Sequence, residues 1–135
     1  MVYSFIYVAL SCLILNRLSI GAIKTRIEQK ISFGDNGNDE MIRKVRAQGN
    51  FIEYTPIFLL SLISIEWLSM KIIPYYFFYI NVIGALFIIG RILHALSLYD
   101  KKFMHRRTGM RLTFLCLKLN GFILLFLVFY KIYIS

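Results

Sequence analysis

Long apolar runs alternate with short charged ones along this chain. Four runs, at about 2–23, 51–70, 72–98 and 112–130, each approach or exceed the roughly 20 residues that a helix needs to cross a bilayer. A backbone in hydrocarbon must satisfy its own hydrogen bonds, so these runs are predicted to be helices. The polar stretches between them carry turn and capping residues. Gly34, Asp35, Asn36, Gly37 and Asn38 form a turn-prone cluster, and Asn38 can cap a helix whose first turn holds Asp39 and Glu40. Pro74 suits the first turn of the third helix, and a charged connection over 100–111 precedes the fourth. Short connections make successive helices antiparallel neighbours. The expected fold is one all-α domain over 1–135, an integral membrane, up-down bundle of four helices.

Composition agrees, with 59% hydrophobic and 17% charged residues. The formal net charge of +9 raises the possibility of a nucleic-acid partner. Its distribution argues against that, because the basic residues flank runs of membrane-spanning length and no basic-aromatic module is present. The connections after the first and third spans hold most of the cations, whereas the middle one has only Lys71. The positive-inside rule then puts both basic connections in the cytoplasm and both termini on the far side. The first span lacks the basic start of a secretory signal and reads as a retained helix. Arg17 near its end can snorkel to the headgroups, and Lys118 in the last span either snorkels or faces another subunit. Cys12 and Cys116 lie in apolar runs and read as packing thiols, with no metal-ligand spacing nearby.

One span opens on polar residues. Arg46, Asn50 and Glu53 recur at i, i+4 and i+7, so a helix aligns them on one stripe, with Tyr54 beside it and Pro56 following. A carboxylate at that depth needs a partner. Arg91 and His94, one turn apart near the end of the antiparallel third helix, reach the same level, and a Glu53–Arg91 pair is expected. The stripe reads either as a helix clamp or as a site for an anionic ligand, since cations outnumber carboxylates there. Lys101, Lys102, His105, Arg106, Arg107, Thr108 and Arg111 form a second basic cluster, suited to anionic headgroups.

The pattern Arg-Ala-x-x-Asn-x-x-Glu-Tyr-x-Pro over 46–56 resembles the signature of the MAPEG family, the membrane-associated proteins in eicosanoid and glutathione metabolism. The stretch 30–35 resembles the loop of its small bacterial members, and the likeness runs from about Gly21 onward. It implies a trimer in the bacterial inner membrane that takes glutathione as co-substrate between neighbouring subunits. Arg46, Asn50, Glu53, Tyr54, Arg91 and His94 would then hold the tripeptide. Arg107 would fall where the family's thiol-activating arginine lies, with Arg106 as the alternative. Leu98 and Arg111 stand where several glutathione-using members have tyrosines. The implied function is a membrane-bound glutathione transferase or peroxidase acting on an apolar electrophile. The alternative is a non-catalytic membrane protein whose basic cytoplasmic face binds anionic lipid or a protein partner.

Overall fold

The computed structural model describes residues 2–99 and 103–134, apart from the side chains of Phe103 and Ile134. Four helices account for nearly all of it: α1 (Tyr3–Glu28), α2 (Asp39–Ser69), α3 (Tyr76–Tyr99) and α4 (Phe103–Ile134). All four are long and apolar enough to cross a membrane. The middle of the bundle is α2 and α3, each of which packs on the other three helices. Among the described residues, no Cα of α1 comes within 8 Å of one in α4.

The capping chemistry appears where expected. Asn38 Oδ1 accepts the Met41 N–H at 3.0 Å, closing the first turn of α2. Gly34, Asn36 and Gly37 all adopt positive φ in the connection before it. Lys44 fastens this end of the bundle: it pairs with Glu40 at 2.6 Å, donates to the Thr25 hydroxyl on α1, and lies 5.6 Å from the Tyr99 ring on α3.

Two expected boundaries move. Pro74 does not open α3 but lies in a turn two residues ahead of it, where Tyr75 takes φ 63°. The basic stretch before the fourth span is not all connection, because α4 starts at Phe103 and carries His105 to Arg111 in its first turns. Arginine's unbranched stem favours a helix once the chain has left the hydrocarbon, so apolar pattern marks the membrane and not the helix end. The expected positions of Lys101 and Lys102 lie outside the described residues.

Packing relies on stacked aromatics and missing side chains. Phe58 of α2 and Phe87 of α3 stack with ring centroids 3.7 Å apart, among Leu62, Ile80 and Leu127. Cys116 belongs to this core, whereas Cys12 is exposed, and both are free thiols. Where α3 crosses α4, a Cβ on Gly109 would stand 2.6 Å from the Gly90 carbonyl oxygen. That crossing therefore needs glycine, the usual device for close helix approach in lipid.

A buried carboxylate that the sequence pattern did not reveal ties α1 to α2. Glu66 accepts the Val2, Tyr3 and Ser4 N–H groups at 3.0–3.2 Å and also the Ser4 hydroxyl. The first N–H groups of a helix have no intrahelical acceptor, and an anion beside them also meets the positive end of the helix dipole. A polar chain further in links three helices. Tyr79 donates to Asn120 Oδ1 at 2.8 Å, and Asn120 donates to the Ser61 hydroxyl at 2.8 Å.

In detergent, Glu66→Leu is expected to lose about 1.5–3 kcal/mol of stability, the range for hydrogen bonds to a charged group. Equal unfolding midpoints for variant and wild type would remove Glu66 from this role. Gly109→Ala should cost about 1–3 kcal/mol by overpacking. Gly121→Ala, whose added methyl meets nothing within 4 Å, should instead be neutral or gain up to about 1 kcal/mol. Thermal unfolding of the two variants side by side distinguishes them.

Candidate functional site

The polar stripe on α2 does meet the end of α3, but the partners differ from the expected ones. Arg91 is 1% exposed and sits between α2, α3 and α4. Its Nη2 donates to Asn50 Oδ1 at 2.8 Å, and its Nη1 donates to Thr113 Oγ1 at 3.2 Å with Met110 Sδ at 3.9 Å. The Tyr54 ring covers the guanidinium at 5.5 Å and is held edge-on by Phe114 at 5.6 Å. Thr113 passes its own hydrogen to the Gly109 carbonyl at 2.9 Å. The acceptors are thus neutral dipoles and an aromatic face.

Glu53 does not pair with Arg91. It is exposed on the outer side of α2, near enough to act on Arg91 through space but not to bond it. The reason is angular. Asn50 and Glu53 are three residues apart, about 60° short of a full turn at 100° per residue. Asn50 takes the inward position beside the guanidinium, and Glu53 is left on the outer edge with Arg46, which is also exposed.

This orientation has chemical content. An amide whose oxygen accepts from a guanidinium keeps two N–H donors for other partners. Asn50 is half-buried and shares its helix stripe with exposed Arg46 and Glu53. The α2 stripe therefore carries an exposed cation and an exposed carboxylate beside an amide that holds a buried arginine, which has no ion-pair partner among the described residues.

His94 is 2% exposed one turn beyond Arg91, and its backbone lies against Gly109. Its Nδ1 and the Arg91 Nε are buried without a hydrogen-bond partner among the described residues. Arg91, Arg106 and Arg46 lie within electrostatic range of His94, so α2, α3 and α4 all bring a guanidinium to this level. Arg107 is exposed on α4, and within a protomer no hydrogen bond or ion pair among the described residues joins it to this cluster. Leu98 is buried in the adjoining core with Phe51 and Ala95. Sequence reasoning missed Thr113 and Met110 as Arg91's partners. The only signal was a threonine in an apolar span, which is common.

A bundle of four spans with a desolvated arginine at one end of its core defines a polytopic helical membrane protein with a buried polar cluster. The chain belongs to the MAPEG family, whose model matches residues 4–129. It is thus a membrane protein of the glutathione and eicosanoid metabolism family. Among curated relatives it is 28% identical over 116 residues to the inner membrane protein YecN of Escherichia coli K12, covering 86% of this chain and 85% of the relative. The protein of the same name from Escherichia coli O6:H1 strain CFT073 matches with the same figures.

The hydrogen bond to Asn50 makes a testable distinction. In a double-mutant cycle read by thermal unfolding, Arg91→Met and Asn50→Leu should couple by about 0.5–3 kcal/mol, as residues in one network do. Arg91→Met and Glu53→Gln should add within about 0.5 kcal/mol. Strong coupling to Glu53 and none to Asn50 would reverse the assignment.

Proposed function

We propose that this protein binds glutathione and ionises its thiol for attack on an apolar electrophile delivered by the membrane. The observation that carries this reading is the buried, un-neutralised Arg91 behind Asn50, with Arg46 exposed beside it. Glutathione has two carboxylates and an ammonium group. Arg46 and the remaining amide donors of Asn50 suit a carboxylate, and Glu53 suits the ammonium. Arg91 acts from behind, fixing Asn50 and adding positive potential. Tyr54, which covers the Arg91 guanidinium, and His94, one turn beyond it, would line the ligand's side of the cluster.

Arg46, Glu53 and Lys118 are all exposed on the single protomer. Charged groups facing hydrocarbon at that depth are costly, so another copy of the chain is the better neighbour. A homo-oligomer, in this reading a trimer, would complete the tripeptide site at the subunit boundary and bring Arg107 of a neighbouring copy to the sulfur. The chain is read as a multi-pass protein of the bacterial inner membrane with its basic ends in the cytoplasm, where glutathione is available. The membrane supplies the apolar co-substrate.

The chemistry follows from charge. A free thiol titrates near about pH 8.5, so only a few per cent is thiolate at neutral pH. A guanidinium beside the sulfur in a partly dry site favours the anion by roughly one to three pH units, as it does for other acids paired with a cation. The thiol proton leaves to water. The sulfur lone pair forms the new C–S bond, and the displaced group departs with the electron pair of the bond it leaves.

Adding glutathione to the purified protein should produce the ultraviolet absorbance of a thiolate at pH 7. Arg107→Leu should abolish that signal and leave binding heat largely intact, whereas Arg46→Leu should weaken binding. If Arg106→Leu loses the signal and Arg107→Leu keeps it, the sulfur faces Arg106 instead. Saturable binding with no thiolate below pH 8 removes the catalytic reading. No binding at all leaves the basic ends of α2 and α4 as an anionic-lipid or partner surface.

A further inference from the structure

A second site lies on the opposite side of α3 from α4, along the seam with α1. Two cavities run end to end there, of about 340 Å³ and 270 Å³, and they share Arg17, Leu18, Ala95 and Leu96. They form one groove parallel to the helices. On α1 its wall is Leu13, Arg17, Gly21 and Lys24, and on α3 it is Ile92, Ala95, Leu96 and Tyr99. Each set recurs at three- and four-residue spacing, so each is one continuous helix face.

The groove has a polarity along its length. Its deeper end, at Leu13 and Ile92, is apolar. Its other end holds Arg17, Lys24 and the Tyr99 hydroxyl. From Arg17 to Lys24 is two helical turns, about 10 Å. Arg17 has no hydrogen-bond or ion-pair partner among the described residues, and Lys24 has only an exposed pairing with Glu28 at 3.7 Å. Such an exposed pair is worth little. Between the cations the Tyr99 hydroxyl lies over Gly21, where a Cβ would stand 2.6 Å from its oxygen, so the glycine lets that hydroxyl form the floor. Exposed Leu13, Ile20, Ile92 and Leu96 leave an apolar rim around it.

We infer that this groove holds one anionic diacyl phospholipid, with an acyl chain along Leu13, Ile92 and Leu96 and the phosphate between Arg17 and Lys24. Charge complementarity and depth select this occupant. A zwitterionic lipid brings its own cation to a place that already has two, and a soluble anion gains nothing from the apolar half. Cations at the membrane edge of a seam between transmembrane helices attract anionic headgroups in this way. Arg17 thereby reaches a ligand phosphate and not merely the bulk interface. The site uses none of the residues assigned to glutathione, so the two readings stand or fall separately.

Native mass spectrometry of the detergent-purified protein tests the groove, with phosphatidylglycerol and phosphatidylcholine added in turn. One phosphatidylglycerol per chain should remain bound at collision energies that strip phosphatidylcholine. Arg17→Gln with Lys24→Gln should lower phosphatidylglycerol retention about tenfold, whereas Lys30→Gln with Lys71→Gln, an equal loss of charge elsewhere, should not. Both lie at exposed positions, and an unchanged unfolding midpoint shows that neither variant has lost its fold. Equal loss in the two double variants, equal retention of the two lipids, or displacement by millimolar inorganic phosphate would each overturn the proposal. So would the absence of bound lipid with the groove instead protected by another copy of the chain.

Discussion

A cation buried inside a membrane bundle has to be solvated by the protein, and Arg91 is solvated without a carboxylate. Its guanidinium is 1% exposed and receives an amide oxygen, a hydroxyl oxygen, a thioether and an aromatic face from two other helices. Each acceptor is weak alone, and losing one would leave a buried charge short of partners. This fixes the register of α2, α3 and α4 together at the end where the polar stripe lies. The Gly90–Gly109 crossing serves the same junction, because only a close approach of α3 and α4 brings Thr113 to Arg91.

The opposite end is held by the reverse arrangement. There a carboxylate, Glu66, gathers the free N–H groups at the start of α1, so a negative side chain meets positive backbone dipoles. Between the two ends the core is apolar and aromatic, with the Tyr79–Asn120–Ser61 chain as its polar link. The protein thus concentrates specific polar contacts where helix ends need them and leaves the middle to packing. In lipid, where apolar surface gives helices little reason to associate, such contacts and small-residue crossings decide which faces meet.

The arrangement also separates two kinds of positive charge. Arg91, buried one turn from His94, faces the bundle. Arg17, Lys24 and Arg107 face outward and meet whatever borders the protomer. A cation turned inward raises the local potential without being consumed by a counter-ion, and one turned outward is free to select an anion.

Four helices and their approximate depth were legible in the chain because hydrocarbon imposes a length and a polarity that composition cannot hide. The turn at Gly34–Gly37 and the Asn38 cap were legible too, since backbone conformation there depends on local residue types. The stripe of Arg46, Asn50 and Glu53 followed from helical spacing alone. Spacing could not say which member turns inward. Glu53 carries the opposite charge to Arg91, so it looked like the partner, yet the rotation of α2 about its own axis gives that place to Asn50. Glu66 and Thr113 were silent for the same reason: a contact across 22 or 62 residues leaves no periodic trace. Periodicity along a helix is written in one dimension, whereas the rotation and closeness of helices are set jointly by every face that packs, and only the folded bundle decides them.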